Sequence, residues 1–497
     1  MLLHIIIYKS SGWGNSMDEL KEKALAAIDE KKDLFLDLSD YIWDNPELAY
    51  LEFKSAAAQI ELLRKLGFEV TEELAGIKTA FKGQYGHGHP VVGILGEFDA
   101  LSNLSQEAGI AEPKPVVNGG NGHGCGHNIF GASSIAGAYT AMQYLKETGK
   151  EGTIIYYGCP AEEGGSGKAF MARDGVFDEL DCAIAWHPGN ANSVMNVSTL
   201  ANEQIRYKFT GKASHAAASP HLGRSALDAV ELMNVGVQFL REHVIPEARI
   251  HYAITNTGGM SPNVVQPYAE VLYLVRAPKN PECDEIRQRV DDIARGAALM
   301  TGTKLEIQFV KACSNVVPNN VIAQEIYKSM NDVPIPEFSD EDYEYARAIE
   351  ATIETKGSMY SALARALKGE AKEQFLKMLE SPLYDKVMPF VPFDRVVPAS
   401  SDVGDVSWVV PTAQFNACTM SAHTANHSWQ QTAQGKSDIA HKGLIYAGKV
   451  LGETAMRLFD EPETVEAAKQ ELLERLGGNK YVSPIPQDVK PAPLVSE

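Results

Sequence analysis

VVGILGEF (91–98) and GTIIYYGCP (152–160) are short, almost wholly apolar runs, and the helical stretch IAGAYTAMQYLKE (135–147) lies between them. Runs of this length, ended by glycine or proline, read as strands buried on both faces, and their alternation with a helix predicts an α/β sheet flanked by helices. In such a sheet, reactive groups belong at the strand ends.

Working outward, residues 18–66 read as two helices broken near Asn45-Pro46, because proline disfavours helix at the residue before it. From Glu203 the pattern changes: EQIRYKFTG, EVLYLVRA and KLEIQFV are strand-like, while ALDAVELMNVGVQFLREHV and CDEIRQRVDDIARGAALM are helical. This βαββαβ-like order predicts a small α+β domain inserted into the larger one. The expected division is 17–202 for the first part of the catalytic domain, 203–316 for the inserted domain and 317–478 for the second part, with an extended tail over 479–497. Residues 330–390, rich in charge and helix formers, read as a solvated helical insertion. The prefix 1–16 is unlike the acidic helical pattern that opens at Met17, reads as an alternative start, and is assigned no function.

The chain carries 45 basic and 65 acidic residues, a formal charge of −20, which disfavours general affinity for nucleic acid or an anionic membrane. An anionic substrate therefore needs locally placed cations. No apolar run approaches the roughly 20 residues of a spanning helix, and Leu2–Ile7 is too short for a signal-peptide core. Six scattered cysteines lack the spacing of a disulfide scaffold, so the expected compartment is the reducing cytoplasm.

The densest chemical signal is NGHGCGHNIFG (121–131), which sets Cys125 and His127 two residues apart beside His123. Thiolate and imidazole suit a borderline-soft divalent ion, although the run alone reads equally as a glycine-rich turn with satisfied histidines. PAEEGGSG (160–167) delivers two carboxylates to the end of a buried strand, where burial without a cation is costly. Glu162 then reads as a general base and Glu163 as a metal ligand, against the plainer reading of an exposed acidic turn. His187 in AIAWHPG ends an apolar run, His427 in TANHSWQ lies far along the chain, and each alone reads as structural.

As an ordered set, GEFDAL, NGHGCGHN, PAEEGG, AWHPG and HSWQ, with WDNPELAYLEFKSA before them, resemble the aminoacylase and carboxypeptidase family of two-metal hydrolases. The likeness covers roughly residues 18–460. It implies a two-metal exopeptidase-type catalytic domain, a mixed central sheet flanked by helices, with an inserted ferredoxin-like dimerisation or lid domain. It also implies that Cys125, His127, Glu163, His187 and His427 hold two divalent ions, Zn2+ or Mn2+, that Asp99 orients a ligand, and that Glu162 takes the proton of the attacking water. His423 also stands in TMSAHTANHSWQ, but HSWQ carries the likeness and favours His427. His215 in GKASHAAASPHLGRSALDA matches a histidine that reaches the active site, usually of a partner subunit, as a donor to the developing oxyanion. Asn263 in GGMSPNVVQP and Arg276 in YLVRAP match segments that bind a substrate carboxylate.

Where many relatives have aspartate, this chain has Asn128. That asparagine, the cysteine of HGCGHN and the string SSDVGDVSWVVPTAQ narrow the likeness to amidohydrolases of N-acyl and N-aroyl amino acids, p-aminobenzoyl-glutamate being the best single expectation. A dipeptidase or a hydrolase of indole-acetyl-amino-acid conjugates would use the same residues. The expected partners are a small acyl-amino-acid substrate and a second copy of the chain, or a paralogous subunit in a hetero-oligomer. A noncatalytic partner subunit has no use for Glu162, and Cys125 as a nucleophile is poorly served by a histidine two residues away.

Overall fold

The structure, a computed structural model, describes residues 17–354, 360–392 and 395–493; the prefix 1–16 and the last four tail residues lie outside them. Twelve strands run in chain order as β1 (Glu69–Glu72), β2 (Phe81–His87), β3 (Val91–Glu97), β4 (Gly152–Cys159), β5 (Cys182–Gly189), β6 (Ala191–Met195), β7 (Ala201–Thr210), β8 (Arg249–Asn256), β9 (Tyr268–Ala277), β10 (Lys304–Cys313), β11 (Tyr384–Val387) and β12 (Thr412–Cys418). Eight form one mixed sheet in the order β1-β2-β4-β3-β5-β12-β6-β11. Its centre is parallel, β3 pairing with β4 and β5, and β5 with β12, while β2 and β6 are antiparallel to their neighbours β4 and β12. Strands β3 and β4 are buried at every residue, in keeping with their mostly apolar composition, and the one charged residue among them is Glu97 at the end of β3.

The helix His127–Thr148 is buried nearly all round, lying between the sheet and the helix Asp438–Asp460. Glycine permits the close approach: a Cβ on Gly137 would lie 2.5 Å from Leu451 Cβ. The N-terminal region contains three helices, Met17–Glu30, Lys32–Asp44 and Phe53–Leu66, rather than the expected two. Buried Ile28, Phe35, Leu38 and Ile42 keep helical spacing across the break at Lys31, so a single periodic pattern concealed it.

The other four strands form an antiparallel sheet, β10-β7-β9-β8, packed on the helices Ala226–Leu240 and Asn280–Thr301 with its own apolar core of Ile205, Tyr207, Val230, Met233, Val271 and Val290. Strand β9 alternates strictly, turning Ala269, Val271, Tyr273, Val275 and Ala277 inward. Strand β8 had no clear signal because it is an edge strand in which only Ile250 is buried.

The segment read as a solvated insertion is only partly so. Its strand β11 adds to the main sheet beside β6, and Phe375, Tyr384 and Met388 bury themselves with Ala191 and Ala422. Its charged faces obscured short apolar stretches that meet the rest of the protein. The tail has no regular element over its described residues, but Ile485 is buried and Arg173 Nη1 donates to the carbonyls of Pro486 and Val489.

Candidate active site

Four parallel strands, β3, β4, β5 and β12, deliver chemistry-bearing residues at or just beyond their C-terminal ends. Asp99 follows β3, Glu162 and Glu163 follow β4, His187 is near the end of β5, and His427 lies in the loop after β12. Cys125 and His127 come from the loop that opens the helix His127–Thr148. Gly126 between them has φ 77°, and a Cβ there would meet Pro188 Cβ at 2.8 Å, so glycine lets the Cys-Gly-His turn sit against His187-Pro188.

One ligand atom from each of Cys125, His127 and His187 lies within 4.8 Å of the others, and the same holds for Cys125, Glu163 and His427. Cys125 is common to both groups. His187 Nδ1 donates to the Pro188 carbonyl at 2.8 Å, which leaves the lone pair on Nε2 facing Cys125 Sγ at 3.5 Å. His127 Nδ1 donates to Asp99 Oδ1 at 2.9 Å, so its Nε2 is likewise the ring nitrogen available to a metal. Asp99 Oδ2 accepts the backbone N–H of Glu163 at 2.9 Å, tying two strand ends together. His427 Nε2 stands 3.3 Å from Glu163 Oε1. His423 instead faces Glu350 through Nδ1 and the Tyr384 hydroxyl through Nε2. Asn128 is buried and donates to Ser39 Oγ and the Gly435 carbonyl, anchoring the helix start.

The donor set fits a pair of cations. His127 Nε2 and Glu163 Oε1 are buried and make no hydrogen bond, which a native core rarely tolerates. Burial, then the negative charge of Glu163, pushes the Cys125 thiol far up, so a thiolate there needs a cation beside it. Burial and the neighbouring His127 lower His187 to about 4, keeping its imidazole neutral for ligation. Burial alone would raise Glu163, but the neighbouring His427 and the charge of His127 outweigh it and bring the carboxyl down to about 2.

Glu162 follows Ala161, which has φ 62°, so a left-handed residue turns the chain sharply off β4. Two residues of the early WDNPELAYLEF stretch hold this turn: Glu52 Oε1 accepts the Ala161 N–H at 2.9 Å, and Tyr50 Oη donates to the Gly165 carbonyl at 2.7 Å. Burial, then the charges of Glu97 and Glu163, raises the Glu162 carboxyl well above its ordinary range.

Beneath the cluster lies an ionic network that sequence reasoning missed. Lys168, fully buried, places Nζ 2.6 Å from both Glu97 Oε1 and Asp402 Oδ1, and Glu97 Oε2 reaches to 3.2 Å from His127 Nε2. Glu97, His127 and Glu162 also offer ligand atoms within 4.8 Å of one another. The available signal was Glu97 at the end of an otherwise apolar run two residues before Asp99, together with a lysine embedded in the small and apolar run GGSGKAFMA.

The remaining candidates lie on or beside the second sheet. His215 bridges to Val264, and Ala216 N donates to the Asn263 carbonyl, so the two expected substrate-facing segments adjoin each other. His215 Nδ1 accepts from Ala217 N and Ala218 N, and its contacts among the described residues are local rather than with the ligand cluster. Arg276 donates from Nη1 to Ser400 Oγ at 2.8 Å, joining the second sheet to the SSDVGDVSW segment, and its buried Nε makes no hydrogen bond.

A mixed sheet with this ligand cluster at its parallel strand ends defines a class, and the sequence profile of Peptidase family M20/M25/M40 matches residues 93–429. The chain belongs to that family and is a metal-dependent amidohydrolase or peptidase. It is 45% identical over 471 residues to a p-aminobenzoyl-glutamate hydrolase subunit of Escherichia coli K12, covering 94% of this chain and 98% of that one. It is 28% identical to the Xaa-Arg dipeptidase of Mus musculus, over 92% of each. Among solved structures, an aminobenzoyl-glutamate utilization protein from Klebsiella pneumoniae shares the fold with a TM-score of 0.55 and 15% identity, over 89% of this chain and 98% of the other.

Proposed function

We propose that this chain hydrolyses the amide bond of N-aroyl amino acids, with p-aminobenzoyl-glutamate as substrate and p-aminobenzoate and glutamate as products. The observation that carries the reading is a carboxylate, Glu162, standing beside two groups of metal-ligand atoms that share Cys125. The name of the Escherichia coli relative supports the choice of substrate.

Cys125, His127, Glu163, His187 and His427 would hold two divalent ions, Zn2+ or Mn2+. When bound, the ions supply Lewis acidity that polarises the amide carbonyl and acidifies water. Glu162 removes the proton from the attacking water and passes it to the leaving nitrogen. Asp99 keeps the His127 ring oriented and the Glu163 backbone in place. Arg276 offers a two-pronged donor to the glutamate carboxylate, and Asn263 a further amide, in a chain whose net charge of −20 otherwise repels anions. His215 reaches the carbonyl oxygen of a substrate held in a neighbouring subunit.

The neighbour is a second copy of this chain or a paralogous subunit. Leu232, Val235 and Phe239 line one stripe of the helix Ala226–Leu240, and Phe239 is 73% exposed, a pattern suited to burial against another subunit. All six cysteines are free and buried, in keeping with a cytoplasmic protein, and among the described residues no helix is long and apolar enough to cross a membrane.

The test is a rate comparison on protein loaded separately with Zn2+ and Mn2+. The substrates are p-aminobenzoyl-glutamate, N-acetyl-glutamate, indole-acetyl-aspartate and an Xaa-Arg dipeptide, with products separated by chromatography. The aroyl-glutamate should have the highest kcat/KM. A preference for the dipeptide would overturn the substrate assignment, and loaded protein inert toward all four would favour a noncatalytic partner role.

A further inference from the structure

We propose that Glu350, His423 and Tyr384 are positioning residues that fix the loop carrying His427, so that the helical insertion sets the affinity of the metal centre for one of its ions. The proposal rests on the reading of His427 as a ligand.

Of the five candidate ligands, only Cys125 and His427 lie outside the helices and strands, and Cys125 is buried whereas His427 is exposed. His127 opens a long buried helix, His187 belongs to a central strand, and Glu163 lies in the short helix Glu162–Gly165. His427 sits in a loop with left-handed backbone, φ 60°, and its side chain is 52% exposed. Positive φ is uncommon for a residue other than glycine, so this backbone is helped by contacts that hold it. Its own N–H is held by the Gly124 carbonyl at 2.8 Å and by Gln431 Oε1 at 3.2 Å. The remaining restraint has to come from what grips the loop on either side.

Part of that grip comes from the insertion. Four residues before His427, His423 is clamped at both ring nitrogens, by the Glu350 carboxylate at the end of the helix Asp340–Glu350 and by the Tyr384 hydroxyl on β11 at 3.3 Å. Next to it, Ala422 N donates to the Pro382 carbonyl at 2.9 Å. After His427, Gln430 Nε2 donates to Thr352 Oγ1 and Tyr345 Oη to the Ala433 carbonyl. The same insertion reaches the strand end bearing His187: Tyr360 Oη donates to Asn190 Oδ1, and Asn190 Nδ2 donates to the Ala422 carbonyl. Glu350 and His423 are both mostly shielded from water, so removing the carboxylate leaves a buried ring N–H unpaired and frees the loop.

The experiment titrates chelator-stripped, full-length protein with Co2+ by calorimetry, with bound metal counted by elemental analysis and folding checked by circular dichroism. The parent should bind two ions, and His427→Ala should lose the weaker one. Glu350→Ala should weaken that same ion about tenfold or more, the size of effect seen when a partner orienting a ligand is removed. Glu350→Gln retains an oxygen that accepts from the ring N–H and should remain within about threefold of the parent, while Tyr384→Phe should weaken the ion about threefold. If His427→Ala loses an ion but a folded Glu350→Ala binds both as the parent does, the proposal is wrong. If Glu350→Ala does not fold, unchanged binding by Tyr384→Phe has the same consequence. If His427→Ala keeps both ions, the ligand assignment fails instead.

Discussion

Replacing Lys168 by methionine keeps the bulk of the side chain and removes the ammonium that bridges Glu97 and Asp402. Both contacts are 2.6 Å long and all three side chains are at most 2% exposed. At an effective dielectric constant of 20, each contact is worth about 6 kcal/mol of Coulomb energy. Most of this is offset by taking three ions out of water, so the intact network contributes little net stability. Deleting the cation is different, because it leaves two buried carboxylates uncompensated; such deletions cost about 3–5 kcal/mol. In the parent, burial opposes the Lys168 charge, but Asp402 and Glu97 outweigh it and hold the ammonium far above its usual range. Burial already raises the Asp402 carboxyl and the Lys168 charge opposes that rise, so in the variant Asp402 rises further, the folded state binds more protons than the unfolded one at acidic to neutral pH, and the deficit grows as pH rises. Urea unfolding followed by circular dichroism, with chelator present to remove metal linkage, should give a loss of about 3–5 kcal/mol at pH 7.5, and a loss at least about 1 kcal/mol smaller at pH 5. A loss below about 1 kcal/mol at pH 7.5, or one independent of pH, would refute the view that the network is charged and buried.

Asp99→Asn should lower metal affinity about 10- to 100-fold, measured by competition with a chelating dye, because His127 loses its charged partner. Glu203 lies beside Arg287, which is shared with Asp284 and Asp291, and burial raises its carboxyl to about 7 despite the arginine. With a folded pKa above the unfolded one, its contribution is fully present below about 4.5 and is lost as pH rises toward about 7. Glu203→Gln should therefore flatten the fall in melting temperature across that window, and an unchanged slope would count against it. His215→Asn should reduce kcat by about 10^2–10^3 with little change in KM if the ring donates to the developing oxyanion, whereas a change in KM alone would make it a binding residue.

Much of the fold could be read from β3, β4 and the helix between them, because strands buried on both faces have no choice but to be apolar. The edge strand β8 had no such constraint and was silent. The break at Lys31 was invisible because Ile28 and Phe35 stay in phase across it. At the site, the Cys125–His127 run and the Glu162–Glu163 pair announce themselves by local density, but His187 and His427 become meaningful only when the fold brings β5 and the loop after β12 together. Lys168, Glu97 and Asp402 are far apart in sequence, and charged residues in a sequence carry no sign of whether they will be buried together. The insertion misled in the same way: its composition is that of a surface, but Glu350, Tyr360 and Tyr384 turn inward to the loops of the site.

The central claim is that Glu162 is the general base of a metal-dependent amide hydrolysis. The most direct measurement compares the parent and Glu162→Gln with p-aminobenzoyl-glutamate as substrate, following p-aminobenzoate release while bound metal is counted in the same samples. Both proteins should carry two ions, and kcat should be lower by about 10^2–10^4 in the variant. A variant that retains both ions and turns over within about tenfold of the parent would contradict the assignment.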